Sequence, residues 1–533
     1  MLWYSDCYDY TIFAAHFYMT KLTNAKKTTG FVLALILCCL LMTVQSCKKK
    51  RSEIAGVLFK KTHNKVFKDI DPDTFTAFFK KELARNKSAM VNPQLIIAHY
   101  DQTHYEPDFV MYRLWDGGID AMLDKYSKAN EHGLDPKIFQ SDQIRALMAK
   151  FQNKDAIKTP EEAYKDIAEL EILAANSLIN YSSALQYGII SPRKIYSRYF
   201  IKTLRPDSMS INRIFNIDNM PAYLDSIQPK SPEYLALQKA YLEGFEAPKL
   251  SKEETKRILL VNMERLRWKN KPAENRYVYV NIPDFRLDVI DSGRSVLNMR
   301  VCVGEGRNKK YLNSLENYND TCKTDNPYAH ETPLLSSVIH SVQVNPIWNI
   351  PKSIATKEII VEEVKDPYYL SNKNINVYEN GKLIEEPETI DWSKVTKENS
   401  DYEFKQQPGA DNSLGKIKFL FENRSSVYLH DTPAKDAFRW SMRAVSHGCV
   451  RLEKPLDLAH NLFRDTTRYN MIAKDMEEDE PTPEDIALRP RVPVYISYVT
   501  CWSDQDGKLQ FRRDVYGLDI VLYDHLKKFL PAE

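Results

Sequence analysis

Tyr428-Leu429-His430-Asp431-Thr432-Pro433 is followed, nineteen residues after its histidine, by Cys449 in Ser446-His447-Gly448-Cys449-Val450-Arg451-Leu452. A thiol becomes a useful nucleophile when a nearby imidazole takes its proton, and His430 is the candidate base for Cys449. Gly448 lets the backbone turn tightly beside the sulfur, so amide N–H groups near His447, Gly448 and Cys449 can face a developing oxyanion. A cysteine with two nearby histidines also describes a buried structural thiol beside an ordinary turn, and the surrounding sequence has to decide between the two. The chain has only 16 glycines in 533 residues, well below the usual share of roughly 7%, so a glycine inside such a motif is informative.

Outward from this motif the sequence reads as sheet. Tyr277 to Ile282, Ser295 to Val303, Ser337 to Val344, Lys416 to Phe421 and Val427 to Leu429 are β-branched and aromatic runs bounded by Gly, Pro and Asn. Gly304-x-Gly306 follows a strand, but Arg307, Asn308, Lys309 and Lys310 stand where a nucleotide loop needs a third glycine and a helix, which excludes that function. A polar stretch at about 357–407 reads as an inserted lid or surface loop. The acidic run from Asp475 and the proline-rich run from Pro481 to Pro493 read as a connector, and Val494 to Val499 with Leu509 to Phe511 as a final hairpin.

From Asp71 to Tyr241 the pattern is helical. Phe75, Phe78, Phe79 and Leu83 form one apolar stripe, and Ile167, Leu170, Leu173, Ala174 and Leu178 another. The fold class expected is α+β: a mostly helical N-terminal domain, then a β-rich domain with an inserted lid-like segment. The boundaries expected are 71–245 for the helical domain, 246–275 for a connector helix, 276–520 for the β-rich domain and 521–533 for a C-terminal tail.

At the N-terminus, Phe31 to Val44 is an apolar run interrupted only by Thr43, preceded by Lys21, Lys26 and Lys27. This is signal-peptide anatomy, too short for the roughly 20 residues of a membrane-spanning helix. Residues 1 to 18 fit no part of such a leader, whereas a start at Met19 gives one of normal length. Val44-Gln45-Ser46-Cys47 resembles a bacterial lipobox, which makes Cys47 the lipidated first residue of the mature chain, residues 1–46 the removed leader and 47–70 a lipid-anchored linker. The alternative is an uncleaved signal anchor. Both put the body of the protein outside the cytoplasm.

Composition removes other classes. With 74 basic against 72 acidic residues, the formal charge of +2 points to no nucleic-acid partner. The 8 cysteines are scattered, with no zinc-ligand spacing and no disulfide framework, so neither a metal nor another cofactor is expected. Cys302 and Cys322 are left as a possible bridge that spacing does not decide.

The stretch around Cys449 resembles the signature of the L,D-transpeptidase family (YkuD-type domain): a histidine, a spacer, then Ser/Thr-His-Gly-Cys, an apolar residue and Arg or Asn. The resemblance extends to Asn345-Pro346-x-Trp348-x-Ile350-Pro351 with Ile354 and Glu358, to Pro408-Gly409 with Asn412, to Leu414-Gly415-Lys416 and Lys418-Phe419, and to Asp514-x-Tyr516-Gly517. Asn262-Met263-Glu264-Arg265-x-Arg267-Trp268 is similar to the start of the catalytic domain in the large Gram-negative branch, and His132-Gly133-Leu134-Asp135-Pro136 to that branch's scaffold domain. The small peptidoglycan-binding domain often found between the two has no room between Tyr241 and Asn262.

The resemblance implies an acyltransferase of cell-wall biogenesis, on the periplasmic side of the bacterial envelope, with peptidoglycan stem peptides as donor and acceptor. Cys449 is then the nucleophile and His430 the general base and acid. The Asp431 carbonyl orients the imidazole, and His447 and Gly448 brace the oxyanion turn. Arg451, Tyr428, Trp348 and Asn345 are candidates for substrate binding, and carbapenems are expected to acylate Cys449. Two other readings stay open: a non-catalytic wall-binding lipoprotein, and an L,D-carboxypeptidase that hydrolyses the same thioester.

Overall fold

The structure is a computed structural model that describes residues 53–270, 272–306, 325, 330–396, 401–478 and 481–532. The leader, Cys47 and Cys322 lie outside the described residues. Among the described residues no helix is long and apolar enough to cross a membrane.

Helices begin where the sequence supplies caps. Asp71 accepts the Thr74 amide at 2.9 Å ahead of α2 (Pro72–Arg85), following α1 (Glu53–Thr62), and Thr159 accepts the Glu162 amide at 3.2 Å ahead of α3 (Pro160–Tyr187). Helix α3 is buried around most of its circumference and forms the axis of the helical half, with Phe75, Phe79 and Leu83 of α2 in the same core. Two boundaries are corrected here. Residues 53–70 are not linker, because Ile54 and Leu58 of α1 and Phe67 enter this core while their lysines face outward. Residues 246–275 are more than a connector, because α5 (Lys252–Arg267), preceded by α4 (Pro232–Leu242), is buried along most of its length.

The β-rich half is a closed sheet. Its strands are β1 (Tyr199–Phe200), β2 (Arg276–Asn281), β3 (Arg286–Asp291), β4 (Arg294–Gly304), β5 (Leu334–Val344), β10 (Ile417–Phe421), β11 (Leu429–His430), β13 (Val450–Leu452) and β14 (Glu484–Ser497). They run in the order β1-β5-β10-β11-β13-β4-β3-β2-β14, and β14 also pairs with β5, which closes the sheet from β5 to β14 and leaves the two-residue β1 as a short edge. A short strand, β12 (Ala444–Ser446), pairs with β4. Alternation turns Val280, Leu287, Val301, Val342, Phe419, Leu429, Val450 and Val494 inward to one core.

The insertion starts earlier than expected and is folded. Strands β6 (Trp348–Ile350), β7 (Ile375–Glu379), β8 (Lys382–Ile384) and β9 (Tyr402–Gln406) pair in the order β6-β9-β7-β8 over a separate core that includes Ile354, Leu370, Val377, Trp392 and Phe404. The expected proline-rich connector is instead strand β14, whose register breaks between Ala487 and Val492, where Pro490 sits. Val494 to Ile496 belong to the closed sheet, and the hairpin is β15 (Cys501–Ser503) with β16 (Leu509–Phe511). Residues 521–526 are no tail: they belong to α6 (Leu518–Leu526), with Leu522 and Leu526 buried.

A buried polar network on α5 joins the halves. Arg265 forms an ion pair with Asp519 of α6, Asp519 accepts from the Thr500 hydroxyl at 2.7 Å, and Asn262 exchanges hydrogen bonds with Thr500 at 2.8 and 3.1 Å. One turn on, Glu264 accepts the Ile190 amide at 2.8 Å and Arg267 at 2.8 Å, while Arg267 donates to the His132 carbonyl at 2.9 Å. Removing one member of a buried pair leaves the other charge desolvated and uncompensated. Arg265→Met is therefore expected to cost about 3–5 kcal/mol, read as a lower urea midpoint at unchanged slope.

Candidate active site

Two short parallel strands bring the motif together. Leu429 of β11 pairs with Val450 of β13, and His430 with Arg451. Leu429 and Val450 point into the core, so alternation sends Tyr428, His430, Cys449 and Arg451 to the outer face. The Val450 amide donates to the Tyr428 carbonyl at 3.1 Å, which fixes the Cys449 backbone beside β11.

The turn before Cys449 is held from below. Gly448 has φ +122, a conformation L side chains rarely adopt. Ser446 Oγ donates to the Cys449 carbonyl at 2.6 Å and accepts the Gly448 amide at 3.2 Å. The Gly448 amide is thus already engaged, which leaves the amides of His447 and Cys449 as donors for an oxyanion. Thr332 Oγ accepts the Gly304 amide and donates to the Gly448 carbonyl, both at 2.8 Å. A Cβ at Gly304 would lie 1.8 Å from the His330 carbonyl oxygen, which accounts for the first glycine of the false nucleotide motif. The exposed His447 ring lies 4.5 Å from that of His330, and its Nε2 is 2.6 Å from Glu358 of the insertion.

His430 is buried, and its Nδ1 hydrogen-bonds the Asp431 carbonyl. A carbonyl only accepts, so Nδ1 carries the proton and Nε2 keeps its lone pair. Burial chiefly, and then the Arg451 charge, push the imidazole down to about 4. Burial likewise pushes the Cys449 thiol up to about 11, against the pull of Tyr428, Arg451 and Lys418. At neutral pH the resting state is a neutral thiol and a neutral imidazole. Burial, and then the Cys449 charge, push the Tyr428 phenol up while Trp348 of β6 acts the other way, so the insertion also reaches the surroundings of the thiol through Tyr428. Arg451 Nε is buried without a hydrogen-bond acceptor among the described residues.

The sequence model of the L,D-transpeptidase catalytic domain matches residues 275–472, and that of a scaffold domain matches residues 94–240. The β-rich half is an L,D-transpeptidase catalytic domain. A putative L,D-transpeptidase of Haemophilus influenzae (strain ATCC 51907 / DSM 11121 / KW20 / Rd) is 27% identical over 348 residues. That alignment covers 63% of this chain and 64% of the relative, less than two thirds of its length. The solved structure of the Ldtfm-avibactam carbamoyl enzyme aligns with 61% of this chain and 80% of its own at 9% identity, with a TM-score of 0.19 on which nothing rests.

Of the residues expected in the site, Tyr428, His430, Cys449 and Arg451 share one face of β11 and β13, and Asp431, His447, Gly448 and Trp348 adjoin them. Asn345 does not line the cleft. It is buried with φ +46, and its side-chain amide donates to the Asp475 carbonyl at 2.7 Å, so its part is to turn the chain between β5 and β6. Cys302 and Cys501 are free and buried. Thr332 and His330 escaped the sequence reading because they lie more than a hundred residues before Cys449 in an unremarkable Glu331-Thr332-Pro333 context. Thr332→Val keeps the shape and strands the Gly304 amide, so the variant is expected to lose about 1–3 kcal/mol, seen as a lower melting temperature together with slower alkylation of Cys449.

Proposed function

We propose that the chain is a peptidoglycan L,D-transpeptidase that forms 3→3 cross-links through a Cys449 thioester. The observation that carries this reading is the pairing of β11 with β13, which puts Cys449 and His430 on one outer face with His430 Nδ1 bound to the Asp431 carbonyl. His430 Nε2 takes the thiol proton, and the sulfur attacks the carbonyl of meso-diaminopimelate at position 3 of a tetrapeptide stem. The oxyanion faces the His447 and Cys449 amides. Collapse breaks the bond to D-alanine at position 4, and the imidazolium returns the proton to the leaving amine. His430 then takes a proton from the acceptor amine of a second stem, which displaces the thiolate and restores the enzyme.

The unpartnered Arg451 guanidinium suits a stem carboxylate, and the Trp348 and Tyr428 pair walls the approach to the sulfur. No step calls for a metal or a cofactor. Lipidation at Cys47 would tether the enzyme to a membrane on the periplasmic side of the envelope, within reach of the wall.

Incubation of the purified chain with disaccharide tetrapeptides is expected to give cross-linked dimers and free D-alanine by mass spectrometry, and Cys449→Ala to abolish both. Tripeptides alone would assign a carboxypeptidase, and unchanged substrate a non-catalytic wall-binding protein. A carbapenem is expected to add its mass at Cys449. Because His430 is useful as a base only when neutral, the plot of kcat/KM against pH is expected to stay flat across the neutral range and to fall only toward about 4, where the imidazole protonates, and toward about 11, where the thiol ionises. A midpoint near 6.5 would contradict the assigned environment of His430.

A further inference from the structure

The register of the closed sheet lines up one polar row that the reaction above uses only in part. Asp485 of β14 stands opposite Gln343 of β5, Gln343 opposite Lys418 of β10, Lys418 opposite His430 of β11, and His430 opposite Arg451 of β13. Residues opposite one another share a face at a strand spacing of roughly 4.8 Å. The candidate base therefore stands between two cations on the outer face of the sheet.

Lys418 is half-buried on that face, since its neighbours Ile417 and Phe419 fill the core. Its Nζ lies 5.6 Å from the centroid of the Tyr428 ring, and the pairing of β11 with β13 sets Tyr428 beside Cys449. The carboxylate whose charge reaches Lys418 is Asp485, and Asp485 is held at 2.9 Å by the side-chain amide of Gln343 rather than by the lysine. Among the described residues Lys418 forms no ion pair. Burial lowers its pKa, while the charges of Asp485 and then Cys449 act the other way. A half-buried, unpaired lysine is an expensive feature for a fold to keep.

Resting on the thioester reading for the part of Arg451, we propose that Lys418 is a positioning residue of the reaction: its ammonium, set over the Tyr428 ring, makes the phenol hydroxyl a stronger donor to the Cys449 thiolate, while Arg451 is left to a substrate carboxylate. A cation over an aromatic face is attracted to the ring and draws electron density from it, and hydrogen bonds in series polarise one another in a dry site. The same row serves the second half of the reaction. An imidazolium flanked by Lys418 and Arg451 is a strong acid, suited to protonating the leaving amine as soon as it has accepted the thiol proton.

The test needs no stem peptide. The full chain is treated with iodoacetamide at pH 8, and Cys449 alkylation is followed by peptide mass in wild type, Lys418→Met, Lys418→Arg, Tyr428→Phe and the Lys418→Met/Tyr428→Phe double variant. Lys418→Met is expected to slow alkylation about tenfold, Lys418→Arg to restore it, and Lys418→Met to have a clearly smaller effect once Tyr428 has lost its hydroxyl, the remainder being the direct charge of the lysine on the thiol. Wild-type rates in Lys418→Met would overturn the proposal, as would an equal slowing in the Tyr428→Phe background, which would mean that the lysine does not act through the phenol. Near-ultraviolet circular dichroism checks the fold of each variant, with Lys418→Gln as the second neutral replacement. If alkylation behaves as expected and wild type still fails to cross-link tetrapeptides, the proposed function falls while the role of Lys418 at the thiol stands.

Discussion

The fold depends on charge buried inside one helix. Helix α5 carries Asn262, Glu264, Arg265 and Arg267 into an interior where none reaches bulk water, and each is satisfied by a group from another part of the chain. Arg265 is answered by Asp519 near the C-terminal end, and Glu264 by Ile190 and Arg267. Hydrophobic cores tolerate sliding, whereas hydrogen-bonded ions in a dry interior do not. The network therefore sets the position of the closed sheet relative to the helices, beyond merely attaching it.

On that frame the site is an outward-facing strip of two adjacent strands. The inward residues Leu429 and Val450 anchor it to the core, and alternation gives Tyr428, His430, Cys449 and Arg451 a common face. The strip is desolvated enough to keep both thiol and imidazole neutral. In the proposed reaction one proton moves between two uncharged groups, and the His447 and Cys449 amides face the charge that appears.

Much of this was legible in the sequence because the chemistry is local. His430, Gly448 and Cys449 sit in one short stretch, and the Phe75, Phe79 and Leu83 stripe has a helical period that packing preserved. What was hidden depends on distance or on mixed signals. Strand β14 contains Pro490 and Pro493, which argue against a strand until a register break accommodates them. The insertion was read as loop because its elements are short and its surface polar, so the core of Leu370, Val377 and Phe404 shows no period. Asn345 serves a backbone turn in this chain, and a sequence pattern does not say whether a residue binds or bends. Lys418 stood in view beside Phe419, yet only the pairing of β10 with β11 places it next to the histidine.

The Glu358 and Trp348 contacts give the insertion a meaning that its place in the sequence does not. Glu358 touches His447, and Trp348 reaches Tyr428, the strand neighbour of Cys449. The segment thus grips the reacting centre from two sides and is not a neutral appendage. Any change in the length or packing of this segment is therefore also a change to the surroundings of the Cys449 thiol.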